Sequence, residues 1–146
     1  MKIAIPFDIL LVEDNPGHAI LIQTNLRKSG ISNLIHHVDD GQKALDYVLG
    51  AIEDVEDDDY KPILILLDLN LPVLSGYQVL ERLKAHPIAK KIPIIVLTST
   101  QDEAEIERCY QLGCNVFLSK PVEYDEFQNS IRQISLFLSI VRVPHV

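Results

Sequence analysis

The sequence predicts an α/β fold built on an open, doubly wound parallel sheet, and three observations carry that prediction. Five short aliphatic runs alternate with stretches of helical apolar periodicity along 146 residues. Most of the runs are rich in isoleucine, valine or leucine, as strands covered on both faces are. At 47% hydrophobic and 23% charged, the chain has the composition of one globular domain rather than of a disordered or collagen-like chain. Parallel neighbours require a crossover, and right-handed crossovers through helices cover both faces of such a sheet.

The first strand is read over Asp8 to Val12. Pro16, suited to a first helical turn, opens a helix that runs to Lys28 and is stopped by Gly30. The second strand spans Leu34 to Val38, after which Asp40 caps a helix whose Leu45, Val48, Leu49 and Ile52 lie on one face. The third strand, Ile63 to Leu67, is the longest aliphatic run, at five residues against the roughly 20 that a membrane-spanning helix needs. A third helix follows Ser75 and Gly76, turns Leu80 and Leu83 inward and stops before Pro87, because proline disfavours helix in the residue ahead of it. The fourth strand, Ile94 to Leu97, leads to a helix starting at Thr100 or Asp102. Thr100 with Glu103 offers a capping box there, and Gly113 a left-handed stop. After the fifth strand, Val116 to Leu118, the residues Phe127, Ile131, Ile134, Leu138 and Val141 form one apolar stripe at helical spacing.

Net charge is −8, yet six acids (Glu53, Asp54, Glu56, Asp57, Asp58, Asp59) share one short stretch, and without them the balance is −2. This argues against general affinity for nucleic acid or anionic lipid, both of which favour basic surfaces. Cys109 and Cys114 are too few for a disulfide framework and lack companions at metal-site spacing, so free thiols are expected. The N-terminus carries no secretory-signal pattern, and a cytoplasmic address is the expectation.

In a doubly wound sheet ligands bind beyond the carboxyl ends of the strands. Those ends carry Glu13 and Asp14 after the first strand, Asp68 and Asn70 after the third, Thr98 and Ser99 after the fourth, and Lys120 and Pro121 after the fifth. Three carboxylates on one edge repel one another unless cations join them. Lys120 supplies one charge, and a hard divalent ion with oxygen ligands, Mg2+, suits the rest. Mg2+, the ammonium and the Thr98 hydroxyl could each take one oxygen of a phosphoryl group while Asp68 attacks phosphorus. Singly, each residue has an ordinary alternative: the two acids serving the helix that follows, Asp68 in a turn with Pro72 and Gly76, Thr98 at a strand end, Lys120 on the surface. Their coincidence on four strand ends favours the phosphoryl site.

The sequence Leu11-Val12-Glu13-Asp14, the run Leu66-Leu67-Asp68-Leu69-Asn70-Leu71-Pro72 with Gly76, Leu97-Thr98-Ser99 and Lys120-Pro121 together resemble the receiver domain of bacterial two-component response regulators, over nearly the whole length. The resemblance implies a flavodoxin-like (βα)5 sheet of order 2-1-3-4-5, and a single receiver domain over residues 1–146 with no output domain. It implies that Asp68 is phosphorylated by a sensor histidine kinase or a histidine phosphotransfer protein. By the same resemblance Glu13, Asp14, Asp68 and the Asn70 carbonyl ligate Mg2+, and Thr98 and Lys120 bind the phosphoryl oxygens. Phe117 stands at the family's aromatic switch position, three residues before the lysine, where tyrosine is frequent; without a hydroxyl, its coupling is expected to rest on packing. In the family the bond between Lys120 and Pro121 is commonly cis, which sequence does not show. His18 is given no role.

The extended acidic connection and the end at Arg142-Val143-Pro144 are similar to cyanobacterial phytochrome response regulators, which implies a phytochrome as one candidate kinase. It also implies a homodimer face on the fourth helix, fifth strand and fifth helix, extended by the C-terminal tail, with Leu136, Phe137, Ile140 and Val141 as its apolar end. The alternative function is a metal-dependent phosphohydrolase with an aspartyl nucleophile. Such enzymes generally carry a second acid two residues on, where this chain has Asn70. A flavin-binding module would need a phosphate loop where Glu13 and Asp14 stand. A DNA-binding regulator would need more residues after the last helix, so direct nucleic-acid and membrane contacts are not expected.

Overall fold

The structure is a computed structural model that describes residues 7–53, 63–99, 102–120 and 123–138. Its strands are β1 (Asp8–Val12), β2 (Ile35–Val38), β3 (Ile63–Leu67), β4 (Ile94–Thr98) and β5 (Val116–Ser119), all parallel in the order β2-β1-β3-β4-β5. Between and after them come α1 (Pro16–Lys28), α2 (Gly41–Glu53), α3 (Gly76–Ala85), α4 (Glu103–Gln111) and α5 (Tyr124–Leu138). This is the predicted sheet in the predicted order. Among the described residues no helix is long and apolar enough to cross a membrane.

The two-residue period of a strand sorts each aliphatic run onto two faces. Leu10, Val12, Ile65, Leu67, Ile94 and Val96 face α2 and α3, where Leu45, Val48, Leu80 and Leu83 are buried. Ile9, Leu11, Leu64, Leu66, Ile95 and Leu97 face α1 and α5, against Ile22, Leu26, Phe127 and Ile131. In-register pairs such as Leu10 with Ile65 and Val12 with Leu67 keep every strand's two sets on their own sides. The sheet is thus the middle of three layers, and its carboxyl edge is left to the loops.

The element boundaries follow from local hydrogen bonding. Asn15 caps α1 by accepting the His18 N–H, and Pro16 sits in its first turn. Asp40 Oδ1 accepts the Lys43 N–H at 2.7 Å, as expected of the cap of α2. Ser75 and Gln78 form a reciprocal capping box on α3, a motif the sequence reading did not single out there. Asp102, one of the two expected starts, caps α4 through the Ala104 N–H, while Thr100 lies outside the described residues. Gly30 and Gly113 both take positive φ, 96° and 104°, as helix stops do.

Small departures have plain causes. Leu34 is 55% exposed and only its carbonyl joins the sheet, accepting from Ile9, so β2 begins one residue later than predicted. Thr98 and Ser119 pair with each other, which lengthens β4 and β5 by one residue each. Leu49 is half-buried rather than part of the inward face of α2. After α3 a short 3-10 turn, Ala89–Lys91, forms where His86 Nδ1 accepts the N–H groups of Ile88 and Ala89. Cys109 and Cys114 are free and buried, and burial pushes the Cys114 thiol up to about 11. The acidic run after Glu53, the bond between Lys120 and Pro121, the C-terminal tail and the side chains of Ile134, Leu136, Phe137 and Leu138 lie outside what is described.

Candidate functional site

Glu13 and Asp14 leave the end of β1, Asp68 that of β3, Thr98 ends β4 and Lys120 follows β5, so four strand ends deliver them to one edge. Carboxylate oxygens of Glu13, Asp14 and Asp68 lie within 4.8 Å of one another. Glu13 and Asp68 are buried, while Asp14 and Asn70 are exposed, so the cluster has a dry floor and an open mouth. Three hard oxygen donors so placed fit a Mg2+ or Mn2+ ion that keeps part of its water shell.

Lys120 is buried at 5% exposure, and its ammonium donates to Glu13 Oε1 and, at 3.2 Å, to Asp68 Oδ2. A buried ammonium needs such partners, because desolvation is otherwise costly. Asp68 Oδ1 accepts the Leu69 N–H at 2.7 Å and the Asn70 N–H at 3.4 Å. The Glu13 main chain is fixed as well, its carbonyl 2.7 Å from His37 Nε2 and its Oε2 accepting the Asn15 N–H at 3.3 Å.

Burial, and then the hydrogen bond it shares with Asp68, push Glu13 up to about 7 against the opposing pull of Lys120. For Asp68 burial acts upward too, but the hydrogen bond from Glu13 and the charge of Lys120 outweigh it and hold it below the usual carboxylate range. The two adjoining carboxyls are thus pushed in opposite directions by one shared environment.

The Thr98 hydroxyl is fully buried and meets no partner in good hydrogen-bond geometry among the described residues, though it lies close enough to the Asp68 carboxylate to help lower its pKa. Buried hydroxyls are nearly always satisfied, so an unpartnered one at a strand end marks a place for a ligand oxygen. A cavity of about 310 Å³ lined by Asn70, Tyr77, Thr98, Ser99 and Glu105, with Leu69, opens beside it.

Backbone constraints hold the acceptor in place. The Asp68 N–H donates to Val12 of β1, and a Cβ on Gly76 would come within 2.3 Å of the Asp68 carbonyl oxygen, so only glycine fits there. Val73 takes a φ of 68°, with the Leu74 N–H bonded to the Pro72 carbonyl around it, a tight turn at the mouth of the site.

The side chains of Glu13, Asp14, Asp68, Thr98 and Lys120 are brought to this edge, and Asn70, whose main-chain carbonyl is the expected ligand, follows Asp68 there. Two further residues were missed. His18, given no role from sequence, brings Nδ1 to 3.4 Å from Lys120 Nζ and 3.8 Å from Glu13 Oε1, and its ring stacks on Phe127. Burial and the nearby Lys120 charge lower its pKa. Tyr110 on α4 accepts the Phe117 N–H at 3.1 Å, so a hydroxyl does meet the backbone at that strand, supplied from the helix. Phe117 itself is half-buried and packs against the core on the α2 and α3 side. The proline opening α1 was the available hint for His18, since it fixes where the helix's first turn meets the site.

Residues 9–132 match the response regulator receiver domain family. Response regulator Rcp1 of Synechocystis sp. is 34% identical over 140 residues, covering 95% of this chain and 94% of the relative. The Mn2+-bound form of Rcp1 superposes with a TM-score of 0.81 at 33% identity over 95% of this chain and 99% of that one. A receiver domain from Rhodospirillum rubrum gives a TM-score of 0.88 at 42% identity, over 95% and 98% of the two chains. The phosphorylated cyanobacterial phytochrome response regulator RcpA gives 0.82 at 33% identity, over 94% and 98%.

Proposed function

Because this chain belongs to the response regulator receiver domain family, we propose that it is a stand-alone phosphorylation switch that accepts a phosphoryl group on Asp68 from a sensor histidine kinase or a histidine phosphotransfer protein. The observation that carries this reading is Asp68 itself: ionised and backbone-fixed, with a lysine on one side, acids on another and an unpartnered hydroxyl nearby.

A carboxylate oxygen of Asp68 attacks the phosphorus of a phosphohistidine. The new P–O bond forms as the P–N bond breaks, and the leaving imidazole nitrogen keeps the electron pair. Lys120 turns its ammonium from the carboxylates to the incoming phosphoryl oxygens, and Thr98 offers its hydroxyl to another. Glu13, Asp14, Asp68 and the Asn70 carbonyl would hold Mg2+, which supplies charge neutralisation for the phosphoryl group when bound; the Mn2+ form of Rcp1 supports a divalent site here. The switch then passes through Thr98 and Phe117 to the face of α4, β5 and α5, where a partner or a second copy docks. The likeness to RcpA and Rcp1 supports a phytochrome as one candidate kinase.

This is a single-turnover acceptor rather than an enzyme acting on a free substrate. The hydrolase alternative generally carries a second acid two residues after the nucleophile, where this chain has Asn70, whose main-chain N–H donates to Asp68 Oδ1. Intact mass after incubation with acetyl phosphate tests the reading. A Mg2+-dependent phosphoryl adduct is expected on the wild type and none on Asp68→Asn. Absence of an adduct on a folded, Mg2+-loaded wild type overturns it.

A further inference from the structure

An ammonium has three hydrogens to donate and no acceptor. Around Lys120 Nζ stand three acceptors: Glu13 Oε1, Asp68 Oδ2 at 3.2 Å and His18 Nδ1 at 3.4 Å. Two are carboxylates from strand ends. The third is an imidazole from the first turn of α1, and it alone of the three sits on a half-exposed side chain. For Nδ1 to accept, the ring proton must stand on Nε2.

The same ring lies on Phe127 with centroids 5.8 Å apart and planes at 26°. Phe127 is 4% exposed and anchors α5 in the core on the α1 side, where α1 and α5 pack together. The backbone of His18 is held too, its N–H donating to the cap residue Asn15 at 3.1 Å. One side chain therefore touches the lysine of the site with its polar edge and the anchor of α5 with its face.

We propose that His18 is a positioning residue that orients the Lys120 ammonium and carries its displacement to α5 through the stack on Phe127. A phosphoryl oxygen that engages Lys120 must replace one of its three partners or draw the ammonium away from them. The two carboxylates attract it wherever it moves over short distances, because charge attraction is only weakly directional. The neutral nitrogen adds direction, and any shift of the ammonium changes its distance to a ring that already rests on α5. The route is separate from that through Phe117, which packs against the core on the α2 and α3 face of the sheet, whereas Phe127 lies in the core on the opposite face.

This inference rests on the phosphoacceptor reading, and two variants divide its halves. His18→Phe keeps a ring on Phe127 and removes the acceptor, whereas His18→Asn keeps an acceptor near the Nδ1 position and removes the ring. The readouts are the rate of adduct formation from acetyl phosphate at saturating Mg2+, and hydrogen exchange across residues 125–132 with and without beryllofluoride and Mg2+. His18→Phe is expected to form the adduct roughly two- to tenfold more slowly, the span of one hydrogen bond, with α5 exchange in the unliganded protein as in wild type. His18→Asn is expected to keep the adduct rate within about twofold while losing the change in α5 exchange that beryllofluoride induces.

Equal behaviour of the two variants in both readouts, whether unchanged or uniformly impaired with a lowered Tm, overturns the proposal. A wild type that takes no adduct defeats the phosphoacceptor reading instead. In that event exchange in the unliganded protein decides the role of His18: relative to the exchange of β1, which reports the global loss of stability, Lys120→Ala must speed exchange in α5 more when His18 is present than in the His18→Asn background. The same response in both backgrounds rules out the coupling.

Discussion

The hydroxyl of Tyr110 accepts the main-chain N–H of Phe117 at 3.1 Å, joining α4 to the outermost strand of the sheet. That N–H faces away from β4, where an edge strand has no strand partner. Tyr110→Phe removes the acceptor and little else. Because Tyr110 is 49% exposed and water can replace it, the expected cost in urea unfolding is about 0.5–1 kcal/mol. If Phe117 moves on phosphorylation, the same variant should alter the exchange rate of the Phe117 amide after beryllofluoride binding more than before it.

Lys120 is the cation that the buried carboxylates have in the protein alone. Lys120→Met keeps the length of the side chain and removes the charge. Breaking a buried ion pair from one side costs about 3–5 kcal/mol. Thermal unfolding in chelator should show a large fall in Tm for this variant. Added Mg2+ should recover more of the loss than it adds to the wild type, since binding to the folded form alone stabilises by mass action.

Two glycines separate space from necessity. A Cβ on Gly76 would press on the Asp68 carbonyl at 2.3 Å and the Leu69 Cα at 2.6 Å, and both are backbone atoms that cannot turn aside. Gly76→Ala should therefore destabilise by about 1–3 kcal/mol or more. Gly50 lies within α2 with nothing near its would-be Cβ, so Gly50→Ala should stabilise by about 0.5–1 kcal/mol through helix propensity. Chemical denaturation of the pair, which should move in opposite directions, checks both.

The capping box at the start of α3 ties the loop after Asp68 to a helix. Ser75→Ala loses the acceptor for the Gln78 N–H and should cost about 1 kcal/mol. Ser75→Asp, which keeps a capping oxygen at the positive end of the helix, should restore it. Calorimetric Tm values of the three proteins, measured at one Mg2+ concentration, decide the comparison.

The three central strands were legible because each is dominated by an unbroken aliphatic run, and burial on both faces leaves little else that such a run can do. Strand ends were less so: pairing between Thr98 and Ser119 extends β4 and β5, and no local signal in either residue announces it. The site was legible for a geometric reason. Each of its members follows a strand directly, so chain order places it on the carboxyl edge of the sheet once the strands are known. His18 and Tyr110 come from helices, and what each touches depends on how that helix lies on the sheet. His18 meets Lys120 across more than a hundred positions of sequence, which neither periodicity nor spacing encodes. The hydroxyl absent from Phe117 was readable in the sequence, but its supply by Tyr110 was not.

Asp68 stands on backbone that has nowhere to go. Its N–H is held by Val12, its carbonyl leaves no room for a side chain on Gly76, and its Oδ1 is caught by two amides of the turn that follows. A change of charge at its other oxygen therefore does little work by shifting the main chain beneath it. The stiff element is the one that is modified, and the compliant ones are those that read it, a division like that between an instrument's fixed bridge and its strings. Substitutions that slacken this footing should blunt every response to the modification alike, whereas substitutions in Lys120, Thr98 or Phe117 should silence them one at a time.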